Sequence, residues 1–316
     1  MRCRITAYRL GHRTRYSEFT LDRLSAVLKG LIMVSPTTVI KSVGPKLVPF
    51  FKTAAVYFVL FIPEDRPSWL ALVIKCLPIL SLLIFVLLHG MSLGDEYAYA
   101  RRIMLGLSCC MLGDALLVFP GFFLEGMAAF AAGHLFYISA FGFKPVNPYA
   151  GAVLYSLGAA ALYLLMPGAE GVFVVGLPVY AGALITMVWR AIARVRLLED
   201  FWTWTKLCSC IGGICFVISD TFIGFHVFYG APYIQAAVMV LYYAGQLGIA
   251  LSVVDSKASY LDARRREKQK LTADGATKSA LNAAAPCATI AAAPCATIAA
   301  APCATMAAAA AVAAAQ

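Results

Sequence analysis

Apolar residues gather in eight long stretches, at roughly 47–62, 69–89, 103–119, 122–143, 149–166, 171–189, 206–228 and 233–254. Charged or Pro/Gly-rich joints separate them. Most come close to the ~20 residues that carry a helix across a bilayer. The first is short, and only Pro167 to Gly171 parts the fifth from the sixth, so the joints admit a count of seven to nine. The pattern predicts an all-α integral membrane protein with eight transmembrane helices.

The joints alternate in charge. The second, fourth and sixth hold Arg101, Arg102, Lys144, Arg190, Arg194 and Arg196, with Lys206 opening the next stretch, whereas the odd joints hold only Arg66. Basic loops stay in the cytosol, which places both termini there and suits an even number of spans. Trp69 marks an outer interface, and Trp189, Trp202 and Trp204 an inner one.

Composition agrees. Of 316 residues, 61% are hydrophobic and 13% charged, against about 45–50% and 25% in a soluble domain. The net charge of +10 sits in the ends: residues 1–46 carry nine basic against two acidic side chains, and 256–316 seven against three. Those ends contribute +7 and +4, which leaves −1 for 47–255. A neutral apolar block is poor material for tracking phosphates, so nucleic acid is not an expected partner. Three segments follow: a basic N-terminal segment at 1–46, a catalytic membrane domain at 47–255, and a tail at 256–316. No cleavable signal peptide is visible, and Met33 reads as an alternative start. The tail opens with the basic run Arg264 to Lys268, read as a solvated flank, then repeats Ala-Ala-Ala-Pro-Cys-Ala-Thr-Ile from residue 283. Regular proline predicts disorder there. The cysteines have no zinc or disulfide spacing and read as small apolar fillers.

Gly106 to Phe119 (GLSCCMLGDALLVF) resembles Gly212 to Phe225 (GGICFVISDTFIGF), which fits two four-helix halves in parallel orientation. Each copy buries an acid, Asp114 or Asp220. A carboxylate at such depth costs about 2.5–3.5 kcal/mol on insertion scales and is a functional candidate by default. Counting along the helices brings Lys75, His134, Tyr180, Tyr242 and Gln246 to a similar level. Lys75 can instead snorkel outward, and the His, Tyr and Gln side chains can serve as interhelical hydrogen-bonders. Two carboxyl groups in one apolar site do not both ionise cheaply, which supplies one acid and one base near neutral pH. Hydrolysis, intramembrane proteolysis and proton-coupled transport all use such a pair.

Six ordered runs narrow the choice: Lys75-Cys-Leu-Pro78, Leu112-Gly-Asp114-Ala-Leu116, Phe130 with Gly133-His134-Leu-Phe-Tyr137, Leu177-Pro-Val-Tyr180, Phe216-Val-Ile-Ser-Asp220 and Tyr242-Tyr-Ala-Gly-Gln246. Together they resemble the lysoplasmalogenase, or YhhN-like, family, on the side of its vertebrate transmembrane protein 86 branch. The likeness covers about residues 33–255. It implies an eight-helix enzyme of the endoplasmic reticulum membrane that hydrolyses the vinyl-ether bond of 1-alkenyl lysophospholipids. The products are a fatty aldehyde and glycerophosphoethanolamine or glycerophosphocholine. It implies a lysoplasmalogen lipid as partner and no metal or organic cofactor, and it is compatible with a homo-oligomer. The family's paired acids fall on Asp114 and Asp220, with Lys75, His134, Tyr137, Tyr180, Tyr242 and Gln246 in supporting places. The alternative is a multi-span lipid transporter or scramblase with midplane acids. Neither Asp lies in the Tyr-Asp or Gly-x-Gly-Asp setting of an intramembrane aspartyl protease, and a metal-dependent hydrolase would want more His near the acids.

Overall fold

The computed structural model describes residues 36–61, 67–195, 204–261 and 263–272. The basic segment up to residue 35 and the Ala/Pro/Cys repeat lie outside them. The chain divides into two compact units, Met1–Tyr260 and Leu261–Gln316. In the second, residues 263–272 are helical.

The first unit holds eight long helices: α1 (Pro36–Leu60), α2 (Trp69–Leu88), α3 (Ala98–Leu117), α4 (Phe123–Phe141), α5 (Pro148–Leu165), α6 (Phe173–Ala193), α7 (Trp204–Tyr229) and α8 (Gln235–Leu251). Short 3-10 turns at Asp95–Tyr97 and Met166–Gly168 precede α3 and follow α5. There is no strand among the described residues. Each apolar stretch of the sequence yields one helix. The largest difference is α1, which begins at Pro36, well ahead of the stretch at 47–62. Lys41, Pro45, Lys46 and Pro49 interrupt its apolar run without ending the helix.

Local signals set several boundaries. Ser68 caps α2 by accepting from the Ala71 amide at 3.0 Å. Asn147 does the same for α5 through the Ala150 amide at 3.2 Å, with Pro148 in the first turn, where its missing N–H costs nothing. α4 ends at Gly142, whose φ of +70° suits glycine.

Six helical segments are long and apolar enough to cross a membrane: Val43–Leu60, Trp69–Leu88, Phe123–Phe141, Pro148–Gly168, Phe173–Ala193 and Trp204–Tyr229. A seventh is added if Gln235–Leu251 is taken together with the helix that follows it. α3 is not among them; it carries Arg101, Arg102 and Asp114. Large apolar side chains cover the outside, with Val59, Trp69 and Tyr163 all more than three-quarters exposed. Such a surface belongs in lipid rather than water.

Two helix pairs pack backbone to backbone. A Cβ at Gly133 would stand 3.1 Å from the Gly106 carbonyl, and one at Gly113 would stand 3.2 Å from the Gly126 carbonyl, so α3 and α4 touch through glycine. In α7 and α8, a Cβ at Gly212 would meet the Gly245 carbonyl at 2.6 Å, and one at Gly248 the Cys208 carbonyl at 2.5 Å. Small residues allow such approaches within a bilayer, where dispersion and weak polar contacts replace the hydrophobic drive. The likeness of α3 and α7 therefore has a packing counterpart. It extends to their partners: Ala132-Gly-His-Leu135 on α4 parallels Ala244-Gly-Gln-Leu247 on α8.

Arginines collect at one end of the bundle. Arg101 donates to the Ser92 and Gly94 carbonyls, and Arg102 to the Ser139 carbonyl near the end of α4. Arg190, fully buried, donates to the Gly142 and Pro145 carbonyls at 2.6 and 2.8 Å and lies over the Trp189 and Phe143 rings. Arg194 reaches the Tyr99 hydroxyl at 3.1 Å. Cations suit the carbonyl ends of helices, and Arg190 pins the α4–α5 connection to α6.

Candidate functional site

The acids sit on α3 and α7, one helix of each glycine-packed pair. Asp114 lies on α3, one turn past Cys110, and Asp220 lies on α7, directly after the buried Ser219, whose hydroxyl donates to the Val238 carbonyl of α8. Both face a cavity of about 550 Å³ enclosed by α2 to α8. That volume is in the range that takes a drug-sized or lipid-sized ligand, about 300–1,000 Å³. Lys75, Tyr180 and Tyr242 join the acids on its wall, and most of the remaining lining is apolar.

Each carboxyl group receives a phenol. Tyr242 on α8 donates to Asp114 Oδ2 at 2.5 Å, and Tyr180 on α6 donates to Asp220 Oδ2. His134 Nε2 approaches the Tyr180 hydroxyl at 3.3 Å and Asp220 Oδ2 at 3.8 Å. Asp114 is 2% exposed. A phenol hydrogen bond within a largely apolar cavity holds each carboxyl in one orientation. Prolines inside α2 and α6, Pro78 and Pro178, stand within one turn of Lys75 and Tyr180. They loosen the local helix ladder next to the site, as membrane helices tolerate where neighbours cover the freed carbonyls.

The sequence placed Lys75, Asp114, His134, Tyr180, Asp220, Tyr242 and Gln246 at one level, and the structure divides them. Lys75, Asp114, Tyr180, Asp220 and Tyr242 line the cavity. His134, Tyr137 and Gln246 are completely buried behind its wall, where the Tyr137 hydroxyl donates to Gln246 Oε1 at 2.8 Å. Phe216 fills the space between, its ring 4.9 Å from His134 and 5.5 Å from Tyr242. The correction for His134 and Gln246 is one of azimuth: residue counting gives depth along a helix but not the side it faces. His134 Nδ1 and Gln246 Nε2 have no hydrogen-bond partner among the described residues, although both are buried.

Several contributors escape a reading by residue type. Tyr243, next to Tyr242 but turned to another helix, donates to the Lys75 carbonyl at 2.9 Å and so fixes the backbone that carries the lysine. Its ring packs edge-on against Tyr57 of α1, 5.4 Å away. His226 and Tyr233 line one end of the cavity, their rings 4.9 Å apart. Among the described residues no cluster of three or more His, Cys, Asp or Glu side chains is arranged to hold a metal ion.

Residues 70–253, the span that builds this cavity, match the YhhN family. The chain belongs to the YhhN family. Its similar relatives include the lysoplasmalogenase TMEM86A of Homo sapiens, 43% identical over 71% of this chain and 95% of the relative. The TMEM86A of Bos taurus is 42% identical over 73% of this chain and 98% of the relative. The lysoplasmalogenase TMEM86B of Sus scrofa is 42% identical over 68% of this chain and 88% of the relative. No solved structure matches the chain. The YhhN match takes in α2 to α8 almost whole, and with them every polar residue of the cavity wall.

Proposed function

We propose that this chain is a lysoplasmalogenase that hydrolyses the vinyl-ether bond of 1-alkenyl lysophospholipids by paired-Asp acid/base catalysis. The observation that carries the reading is the pair Asp114 and Asp220 on one apolar cavity, each held by a tyrosine. The names of the YhhN relatives supply the reaction class.

A vinyl ether is an enol ether, and water alone attacks it slowly because its double bond is electron-rich. Protonation of the β-carbon by a carboxylic acid converts it to an oxocarbenium ion. One Asp of the pair gives that proton. The other, ionised, stabilises the cation and takes a proton from the water that adds to the α-carbon. The hemiacetal so formed returns a proton to the glyceryl oxygen as its C–O bond breaks. The net change is addition of one water, with release of a fatty aldehyde and glycerophosphoethanolamine or glycerophosphocholine. Tyr180 and Tyr242 hold the two carboxyls apart in orientation, so each addresses a different carbon. Lys75 offers a cation to the phosphate or to the ionised acid. His134 and the Tyr137–Gln246 pair brace the wall from behind. No cofactor enters this scheme.

The same reading makes the chain a multi-pass protein of the endoplasmic reticulum membrane with eight crossings and both termini cytosolic. α3 then crosses with its acid facing inward, away from lipid, and the arginine-rich end of the bundle faces the cytosol. Purified protein in detergent, given an alkenyl lysophospholipid, tests the activity: it releases fatty aldehyde with no second compartment present. A lipid mover releases none.

A further inference from the structure

The cavity has two unlike ends, and the reacting groups lie between them. From Tyr180, α6 continues past Leu184 and Ile185 to Val188, eight residues or about 12 Å further along. Leu154, Leu157 and Gly158 of α5 face this stretch, so the arm between α5 and α6 is wholly apolar. In the other direction α7 runs from Asp220 to His226, six residues or about 9 Å. Gly168 packs against the Phe228 backbone, which fixes this as the opposite end from Val188. His226 and Tyr233 give that end its polar groups, with His226 Nδ1 bound to the Ala231 carbonyl at 2.8 Å.

The cavity also opens at its side. Leu157 of α5 and Val227 of α7 both line it while remaining 64% and 43% exposed. α5 is fastened to α6, through the Tyr155–Thr186 hydroxyl pair at 2.6 Å and the Trp189 indole on the Asn147 carbonyl at 2.7 Å. It touches α7 only lightly. The gap therefore lies between α5 and α7, along the face that the exposed apolar side chains turn to lipid.

We infer that this is a polarised lipid site entered sideways between α5 and α7, with the hydrocarbon chain in the α5–α6 arm and the phosphate-bearing head at the His226–Tyr233 end. The inference rests on the lysoplasmalogenase reading and adds the substrate's orientation and the residues that measure its chain. A lysoplasmalogen carries its reacting bond between a short polar head and a long chain, which is the order of groups along this cavity. Gly158 sets the width of the arm: any Cβ there would run into Ile185 Cδ1 and drive that side chain into the arm.

The test compares kcat/KM for the longest and shortest alkenyl chains that the wild type accepts, in detergent-purified full chain. Leu154→Trp and Gly158→Leu fill the arm and lower the long-to-short ratio by about tenfold or more, since a hydrophobic pocket is that sensitive to a methylene or two. Ile185→Ala widens it and raises the ratio, which keeps the test intact should a filling variant fold poorly. His226→Ala raises KM for both chains and leaves the ratio in place. A ratio unchanged in all the arm variants while aldehyde is still released overturns the inference alone. So does a ratio that moves only with His226→Ala. Absence of aldehyde from the wild type overturns the catalytic reading, and the orientation with it.

Discussion

At the scale of single residues, the decisive feature is that two acids share one dry cavity and each has a phenol of its own. Asn at either position keeps the shape and removes the proton chemistry. Asp114→Asn and Asp220→Asn are each expected to lower kcat by about 10²–10⁴-fold, the usual worth of a positioned acid or base, with an unchanged elution profile in size-exclusion chromatography. Tyr180→Phe and Tyr242→Phe remove one donor and leave the ring. Their expected loss is smaller, roughly tenfold or more in kcat with KM little changed, because the donors position carboxyls rather than touch the lipid bond. Steady-state kinetics separates the two cases. The acids and the phenols were legible in the sequence, since a charged residue deep in an apolar helix has few other uses. Their partners were not. The Tyr137–Gln246 bond joins positions 109 residues apart, and Tyr243 looks like a duplicate of Tyr242 until its 2.9 Å bond to the Lys75 carbonyl is seen. Both depend on how α8 crosses α2 and α4, which no local pattern encodes.

At the scale of helices, the apolar stretches and the elements correspond one to one, because charged or Pro/Gly-rich joints part the spans while the prolines inside α1, α2 and α6 do not end them. What the pattern missed is which helices approach most closely. Glycine decides that. Gly212→Ala and Gly248→Ala insert a methyl within 2.6 and 2.5 Å of backbone carbonyls of the facing helix. Each is expected to destabilise the protein by roughly 1–3 kcal/mol, the range for overpacking. Gly182→Ala on α6 meets nothing within 4 Å. It is expected to be neutral or stabilising by up to about 1 kcal/mol through helix propensity. Thermal unfolding of the three variants in one detergent reads the contrast. The internal likeness of α3 and α7 matters here as well: it places an acid at the same turn of each glycine-packed pair, so close helix contact and acid placement arise together.

At the scale of the whole molecule, the charge pattern predicts an orientation. Arg101, Arg102, Arg190 and Arg194 gather at one end, where the first three donate to backbone carbonyls and Arg194 to the Tyr99 hydroxyl. Epitope tags at the two termini are expected to be reached by antibody after the plasma membrane alone is permeabilised, with internal membranes left sealed. A tag visible only after full permeabilisation contradicts both-termini-in. α5, whose span is only 11% buried, the least of the six candidate spans, walls the cavity on one side and leaves most of its surface uncovered. Composition announced a membrane protein, but the 550 Å³ cavity arises from how seven helices pack, which neither composition nor charge encodes.

The central claim is that Asp114 and Asp220 together cleave an enol ether. Mass-spectrometric analysis of products from alkenyl, alkyl and acyl lysolipids, run side by side with the wild type and both Asn variants, addresses it directly. The account predicts aldehyde and glycerophospho-alcohol from the alkenyl lipid alone, lost in each variant. Undiminished aldehyde release by both Asn variants, or cleavage of the alkyl and acyl lipids at the same rate as the alkenyl lipid, would contradict it.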